Sequence, residues 1–192
     1  MEQLNIMIVG VGGQGTLLAS RVLGNVALKM GYDVKVSEVH GMSQRGGSVV
    51  TYVKMDKKVY SPLIERGEAD VVMAFEQLEA LRWTEFLKVG GRMIINQQKI
   101  NPMPVIMGKA KYPEGILEEI TKSYSNTVTV DALKLAKECG SIKAVNIVLL
   151  GVMAKSTEIP KETWVGAIKE VVPEKLLDIN LKAFEAGYVC GV

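Results

Sequence analysis

At 192 residues, with 48% hydrophobic and 23% charged side chains, the chain is long enough to bury the core of one α/β domain and has the balance of a globular protein. Its net charge of +2 excludes the basic footprint that nucleic-acid or membrane-surface binding demands. Residues 1–5 lack the basic start of a secretory signal, and no apolar run approaches the roughly 20 residues that span a bilayer, so a cytoplasmic protein with no membrane contact is expected.

Residues 4–9 read as a strand buried on both faces. After Gly15, the residues Ala19, Val22, Leu23, Val26 and Met30 follow the i, i+3, i+4, i+7 spacing of a helix packed on a sheet, with Gly31 as its stop. Residues 33–39 alternate as a second strand, and strand, helix and strand within the first forty residues predict a right-handed βαβ unit. A polar loop, 40–47, leads to a β-branched strand, 48–54; residues 55–58 form a turn, with Val59 and Tyr60 as a short hairpin partner. Residues 69–75 read as a buried strand and 76–88 as a helix carrying Leu78, Leu81, Trp83 and Leu87 on its apolar face. Gly90 and Gly91 end that helix, and 92–96 is the next strand.

Pro102 and Pro104 make 97–108 a loop or an edge strand. A helix is expected over 113–124, a short strand over 127–130, and a helix capped by Asp131 over 132–138. Three helical stretches, 144–154, 160–172 and 173–186, finish the chain, with Pro160 and Pro173 in first turns and Gly187 as a C-cap. No repeat or linker divides the sequence. Residues 1–192 are read as a single α/β domain, Rossmann-like and three-layered, with a mainly parallel sheet, helices on both faces and a helical C-terminal part.

Gly10, Gly12 and Gly15 fit G-x-G-x-x-G between the first strand and the first helix, with Gly13 and Gln14 inside the turn. Glycines allow close backbone approach and positive φ, and a helix N-terminus attracts an anion. A dinucleotide site also wants an acid about 20 positions on. Glu38 ends the predicted second strand but comes later than that spacing asks. The alternative is that the glycines serve packing alone, and both readings stand at this point.

The loop that follows holds Glu38, His40, Ser43, Gln44, Arg45, Gly46 and Gly47, with the only histidine of the chain. Arg45 suits a phosphate or carboxylate, and Ser43 and Gln44 can donate and accept hydrogen bonds. Glu38 and His40 share a strand face, but no nucleophile accompanies them, so no catalytic residue is assigned. Two cysteines, Cys139 and Cys190, are too few for an iron–sulfur cluster or a zinc site, and no metal ligands are expected.

Together, Gly10-Val11-Gly12-Gly13-Gln14-Gly15 and the stretch from Ser37 to Gly47 resemble the gamma-type subunit of the 2-oxoacid:ferredoxin oxidoreductases, most closely the beta subunit of the indolepyruvate type. Residues 144–153, with Asn146 and Gly151, and residues 180–187 are similar to that family's buried and closing helices, so the likeness spans nearly the whole chain. The resemblance implies an accessory subunit, inactive alone, in a complex that decarboxylates a 2-oxoacid with thiamine diphosphate, passes electrons through iron–sulfur clusters to ferredoxin, and forms an acyl-CoA from coenzyme A. It implies that a larger partner subunit carries thiamine and the clusters, that this chain binds no cofactor by itself, and that the glycine turn and the 43–47 loop face the substrate pocket or the partner. A free-standing NAD(P)-binding dehydrogenase and a purely structural subunit are the rival readings. A homodimer is left open: ten methionines and a mean hydropathy of +0.18 favour an apolar interface.

Overall fold

The computed structural model describes residues 3–41 and 46–191. Six strands form one sheet in the order β2-β3-β1-β4-β5-β6: β1 (Leu4–Val11), β2 (Asp33–His40), β3 (Ser48–Asp56), β4 (Ala69–Ala74), β5 (Leu87–Asn96) and β6 (Thr127–Val130). β1, β4, β5 and β6 pair in parallel, and β3 runs antiparallel to both β1 and β2. Helix α1 (Thr16–Lys29) follows β1, and α2 (Gln77–Arg82) follows β4. The short α3 (Met103–Ile106), α4 (Ile116–Ser123) and α5 (Ala132–Glu138) come next, and α6 (Val145–Lys155), α7 (Lys161–Val171) and α8 (Leu177–Cys190) close the chain.

The sheet divides the core into two halves, because alternate residues of each strand point to opposite faces. Ile6, Ile8, Met73 and Ile94 pack with α1, α6, α7 and α8 on one side. Met7, Val9, Val72, Met93 and Ile95 pack with α2 and α4 on the other, where Ile116 and Ile120 complete the layer. Helix α6 is buried all round, from Val145 to Ala154, which explains why its residues show no polar face. The three-layer α/β expectation is met.

Several local expectations are corrected. The β1-α1-β2 unit forms with its two strands parallel, but β3 inserts between them. The more apolar strand takes the central position: β3 buries most of its residues, while β2 stays largely exposed at the edge. The helix expected over 76–88 stops at Arg82, a 3-10 turn carries residues 84–86, and Leu87 already pairs with Ala69 as the start of β5. Gly90 and Gly91 therefore kink a strand. A Cβ on Gly91 would crowd Leu87 and the Ala69 carbonyl at 3.0 Å, beside the register shift in that pair. Of the two alternatives for residues 97–108 the loop is the one found, and the single turn α3 inside it was not anticipated. Gly187 sits inside α8, not at a cap.

Val59 and Tyr60 do not pair as a hairpin. The Val59 N–H instead donates to the Asp33 carboxylate at 3.0 Å, and Lys35 reaches its other oxygen at 2.9 Å. The Val59 bond first, then Lys35, holds the Asp33 carboxyl below its ordinary 3.8, at about 2. A depressed folded-state pKa stabilises above the unfolded value and is lost as pH falls through the folded one. Asp33→Asn is therefore expected to lower stability at neutral pH. The gap from wild type should close between about pH 4 and pH 2 in urea titrations.

Candidate functional site

β1 ends at the carboxyl edge of the sheet and the chain turns at once into α1. Gly10 is the first requirement of that turn, since a Cβ there would stand 2.9 Å from Gln14 Oε1 and 3.0 Å from Phe75 Cβ. Gly13 and Gly15 have φ of +102° and +85°, in the left-handed region that favours glycine. A Cβ on Gly15 would also meet Asn146 Nδ2 at 2.7 Å. That amide, on the buried α6, donates to the Gly15 carbonyl at 3.1 Å and ties the turn to the helical layer.

Gln14 folds back under the turn. Its Oε1 accepts from the Val11 N–H at 2.8 Å, and its Nε2 donates to the Phe75 carbonyl at 2.9 Å and to Gln98 Oε1 at 3.3 Å. The side chain thereby braces β1 to β4. Gly12 joins the two motifs, because its N–H donates to Gly47 O at 2.9 Å and its carbonyl accepts from Gly46 at 3.4 Å. Ser43, Gln44 and Arg45 lie outside the described residues.

Glu38 and His40 stand on the α1 side of β2. Register places His40 opposite Val49 and Val49 opposite Gly10, so the histidine backbone lies two strand spacings, about 10 Å, from the glycine turn. Glu38 accepts from Thr51 Oγ1 at 3.3 Å, and His40 Nδ1 contacts its neighbour's carbonyl, Gly41 O, at 3.0 Å. Among the described residues no hydrogen bond joins Glu38 to His40, so the acid–imidazole pair that a general base would need is not formed.

Two clefts flank the turn. One, of about 440 Å³, lies between the start of α1 and β2 and is lined by Gly13, Thr16, Leu17, Glu38 and His40. Among the described residues the N–H groups of Thr16 and Leu17 have no acceptor outside the helix, the usual orphan donors of a helix start. The second cleft, about 580 Å³, opens on the other side of Gly13–Gly15 between α1, α6 and α8. Leu18, Leu133, Val145 and Ile179 give it apolar walls, and Gln98 and Lys143 add polar groups. It draws on five separate stretches of sequence, and no local motif marks it.

A buried polar network underlies this edge. Asn96, fully buried, donates to the Phe75 carbonyl at 3.0 Å and accepts from the Ala132 N–H at 3.1 Å, linking β4, β5 and α5. Glu76 is 1% exposed and caps α2 by accepting from the Glu79 N–H at 2.9 Å. Its other oxygen accepts from the Ile100 N–H at 3.0 Å and from the Tyr112 hydroxyl. Burial first, and then the Glu76 carboxylate, pushes the Tyr112 phenol well above the usual tyrosine range. Glu79 accepts from Ser48 Oγ and pairs with Arg82 at 2.7 Å, pinning the first residue of β3. The only sequence signal for Glu76 was a polar residue directly after a buried strand.

Among the described residues no three His, Cys, Asp or Glu side chains gather as a ligand set, and Cys139 and Cys190 remain free thiols. No helix among them is long and apolar enough to cross a membrane.

Comparison with known proteins matches residues 5–190 to the family described as pyruvate ferredoxin/flavodoxin oxidoreductase. The indolepyruvate oxidoreductase subunit IorB of Thermococcus kodakarensis is 44% identical over 194 residues, spanning 97% of this chain and 95% of that one. The pyruvate/ketoisovalerate oxidoreductases common subunit gamma of the same organism is 30% identical, over 96% and 95% of the two chains. Among solved structures, the gamma subunit of a keto/oxoacid ferredoxin oxidoreductase from Geobacter sulfurreducens superposes with a TM-score of 0.73 at 26% identity, covering 98% of each chain.

Proposed function

The chain belongs to the pyruvate ferredoxin/flavodoxin oxidoreductase family, and from that membership we propose that it is the accessory, gamma-type subunit of a thiamine-dependent 2-oxoacid:ferredoxin oxidoreductase that acts on indolepyruvate or a related arylpyruvate. The observation that carries this reading is the end-to-end likeness to IorB, 97% of this chain against 95% of that one. In the reaction, the 2-oxoacid loses its carboxylate as carbon dioxide, the acyl group passes to the coenzyme A thiol, and the released electrons go to ferredoxin. Thiamine diphosphate and the iron–sulfur clusters belong to a larger partner subunit.

This chain's own contribution is a shaped rim. The glycine turn, with Gly46 and Gly47 bonded to Gly12, faces the partner beside the shared pocket, and Arg45 is the residue of this segment whose chemistry suits an anion. Gln14, Asn96 and Asn146 fix that rim from beneath. The dehydrogenase alternative is weaker on geometry. The ribose-binding acid of a dinucleotide fold ends the strand adjacent to β1, whereas β3 separates Glu38 from that position.

Co-expression with a thiamine- and cluster-bearing larger chain is expected to give a copurifying complex that reduces ferredoxin with arylpyruvate, while neither chain does so alone. Arg45→Ala should cut turnover or assembly of that complex. Micromolar binding of NAD(H) to the isolated chain, or substrate oxidation without a partner, would overturn the reading.

A further inference from the structure

Residues 97–113 leave the carboxyl end of β5, reach outward as an arm, and return to α4. The arm is clamped at both ends by one buried carboxylate: Glu76 accepts from the Ile100 N–H at 3.0 Å and from the Tyr112 hydroxyl, which in turn accepts from the Leu78 N–H at 3.1 Å. Gln77 adds bonds from its backbone to the Gln98 carbonyl at 3.1 Å and from its side chain to the Gln97 carbonyl at 2.6 Å. Inside the arm, the Pro104 carbonyl accepts from Lys109 at 2.8 Å and from Ala110 at 3.1 Å, closing the turn after α3. A connection this long is held in one shape, which costs conformational entropy that an idle loop has no reason to meet.

What the arm holds out is apolar. Met103 is 59% exposed, Ile106 65% and Met107 58%, all within a little over one helical turn. Three large apolar side chains projected together are costly in water and adaptable in contact, methionine especially. Lys99, Lys109 and Lys111 flank them, and no aspartate or glutamate occurs between residues 97 and 113. Among the described residues none of these lysines forms an ion pair; Lys99 lies over the Tyr112 ring at 5.8 Å. The arm also borders the glycine turn, since Gln98 Oε1 accepts from Gln14 Nε2 at 3.3 Å.

We propose that the 97–113 arm is the docking element for the larger subunit, with Met103, Ile106 and Met107 entering an apolar recess on that subunit whose rim carries carboxylates paired to Lys99, Lys109 and Lys111. The proposal rests on the accessory-subunit reading and names the surface through which it is met. The clamp presents the arm already formed, so binding loses little further freedom. The same docking brings the partner against the glycine turn.

The test measures binding of the full chain to the separately purified larger chain. The double variant Ile106→Asp with Met107→Asp should weaken binding about 100-fold or more while leaving the melting curve of the isolated chain unchanged. Lys109→Glu with Lys111→Glu should slow association and flatten its dependence on salt. Unaltered binding by the aspartate variant, with wild type still binding, overturns the arm and leaves the subunit reading intact. Salt-insensitive association overturns the carboxylate rim. Failure of wild type to bind removes the subunit reading and the arm together. Self-association of the isolated chain that disappears in the aspartate variant assigns the arm to a second copy and overturns the proposal.

Discussion

Gly187→Ala should destabilise the protein by about 3 kcal/mol, seen as a fall of about 6–12 °C in melting temperature or a matching shift in the urea midpoint. The reason is the crossing of α6 and α8, where two glycines let the backbones touch. A Cβ on Gly187 would press into the Val148 carbonyl, and one on Gly151 into the Phe184 carbonyl, with the Tyr188 nitrogen at 2.8 Å. In both cases the obstacle is main chain, so no rotamer change relieves it and the helices must separate. Separation opens the packing of Phe184 and Ala183 against α6, deep in the larger core half. Gly151→Ala should cost a similar amount, and the double variant less than the sum, because one separation serves both methyl groups. Gly166→Ala is the internal control. It also lies in a helix interior, but a Cβ there meets only the end of Lys29, at 3.5 Å, so stability should rise by up to about 1 kcal/mol. If Gly187→Ala behaved like Gly166→Ala, the close crossing would be wrong.

That crossing shows where reading the sequence stopped. The helical pattern of residues 173–186 was legible, yet Gly187 read as a cap, because a glycine near a pattern's end looks the same whether it stops a helix or admits a neighbour. The strand-turn-helix start was legible because a run of apolar residues, spaced glycines and helical periodicity all act locally. The position of β3 between β1 and β2 was not, since pairing partners are chosen by relative burial across the sheet and not by chain order. The same limit applied to the site. Gly10, Gly13 and Gly15 were found with their structural reasons, and the structure adds that Gln14 is a brace. Glu38 and His40 were correctly placed on one strand face, but the distance of that strand from β1 was invisible. Asn96, Glu76 and the second cleft depend on contacts between elements far apart in sequence, so no short pattern announces them.

Glu76→Ala should be the most damaging single change at the carboxyl edge, with a loss of about 3 kcal/mol. One buried carboxylate satisfies the Glu79 N–H, the Ile100 N–H and the Tyr112 hydroxyl, and alanine leaves all three without an acceptor. The cap of α2 and both anchors of the 97–113 arm fail together, so the effect is local order as well as stability. Amide exchange at Ile100 and proteolytic cleavage between 97 and 112 should both accelerate strongly in the variant. Tyr112→Phe separates the terms: it removes one donor and the acceptor of the Leu78 N–H but keeps the cap and the Ile100 anchor, and it should cost about 1 kcal/mol. Glu76→Gln should fall between the two, because the amide keeps one acceptor oxygen and turns a donor toward N–H or O–H groups that need an acceptor. If the arm is the docking element, Glu76→Ala should also weaken binding to the larger chain about tenfold, although Met103, Ile106 and Met107 are untouched, because ordering them then falls on the binding step. Unchanged exchange at Ile100 would mean that the carboxylate does not hold the arm. Normal binding by a disordered arm would mean that the partner does not need it preformed.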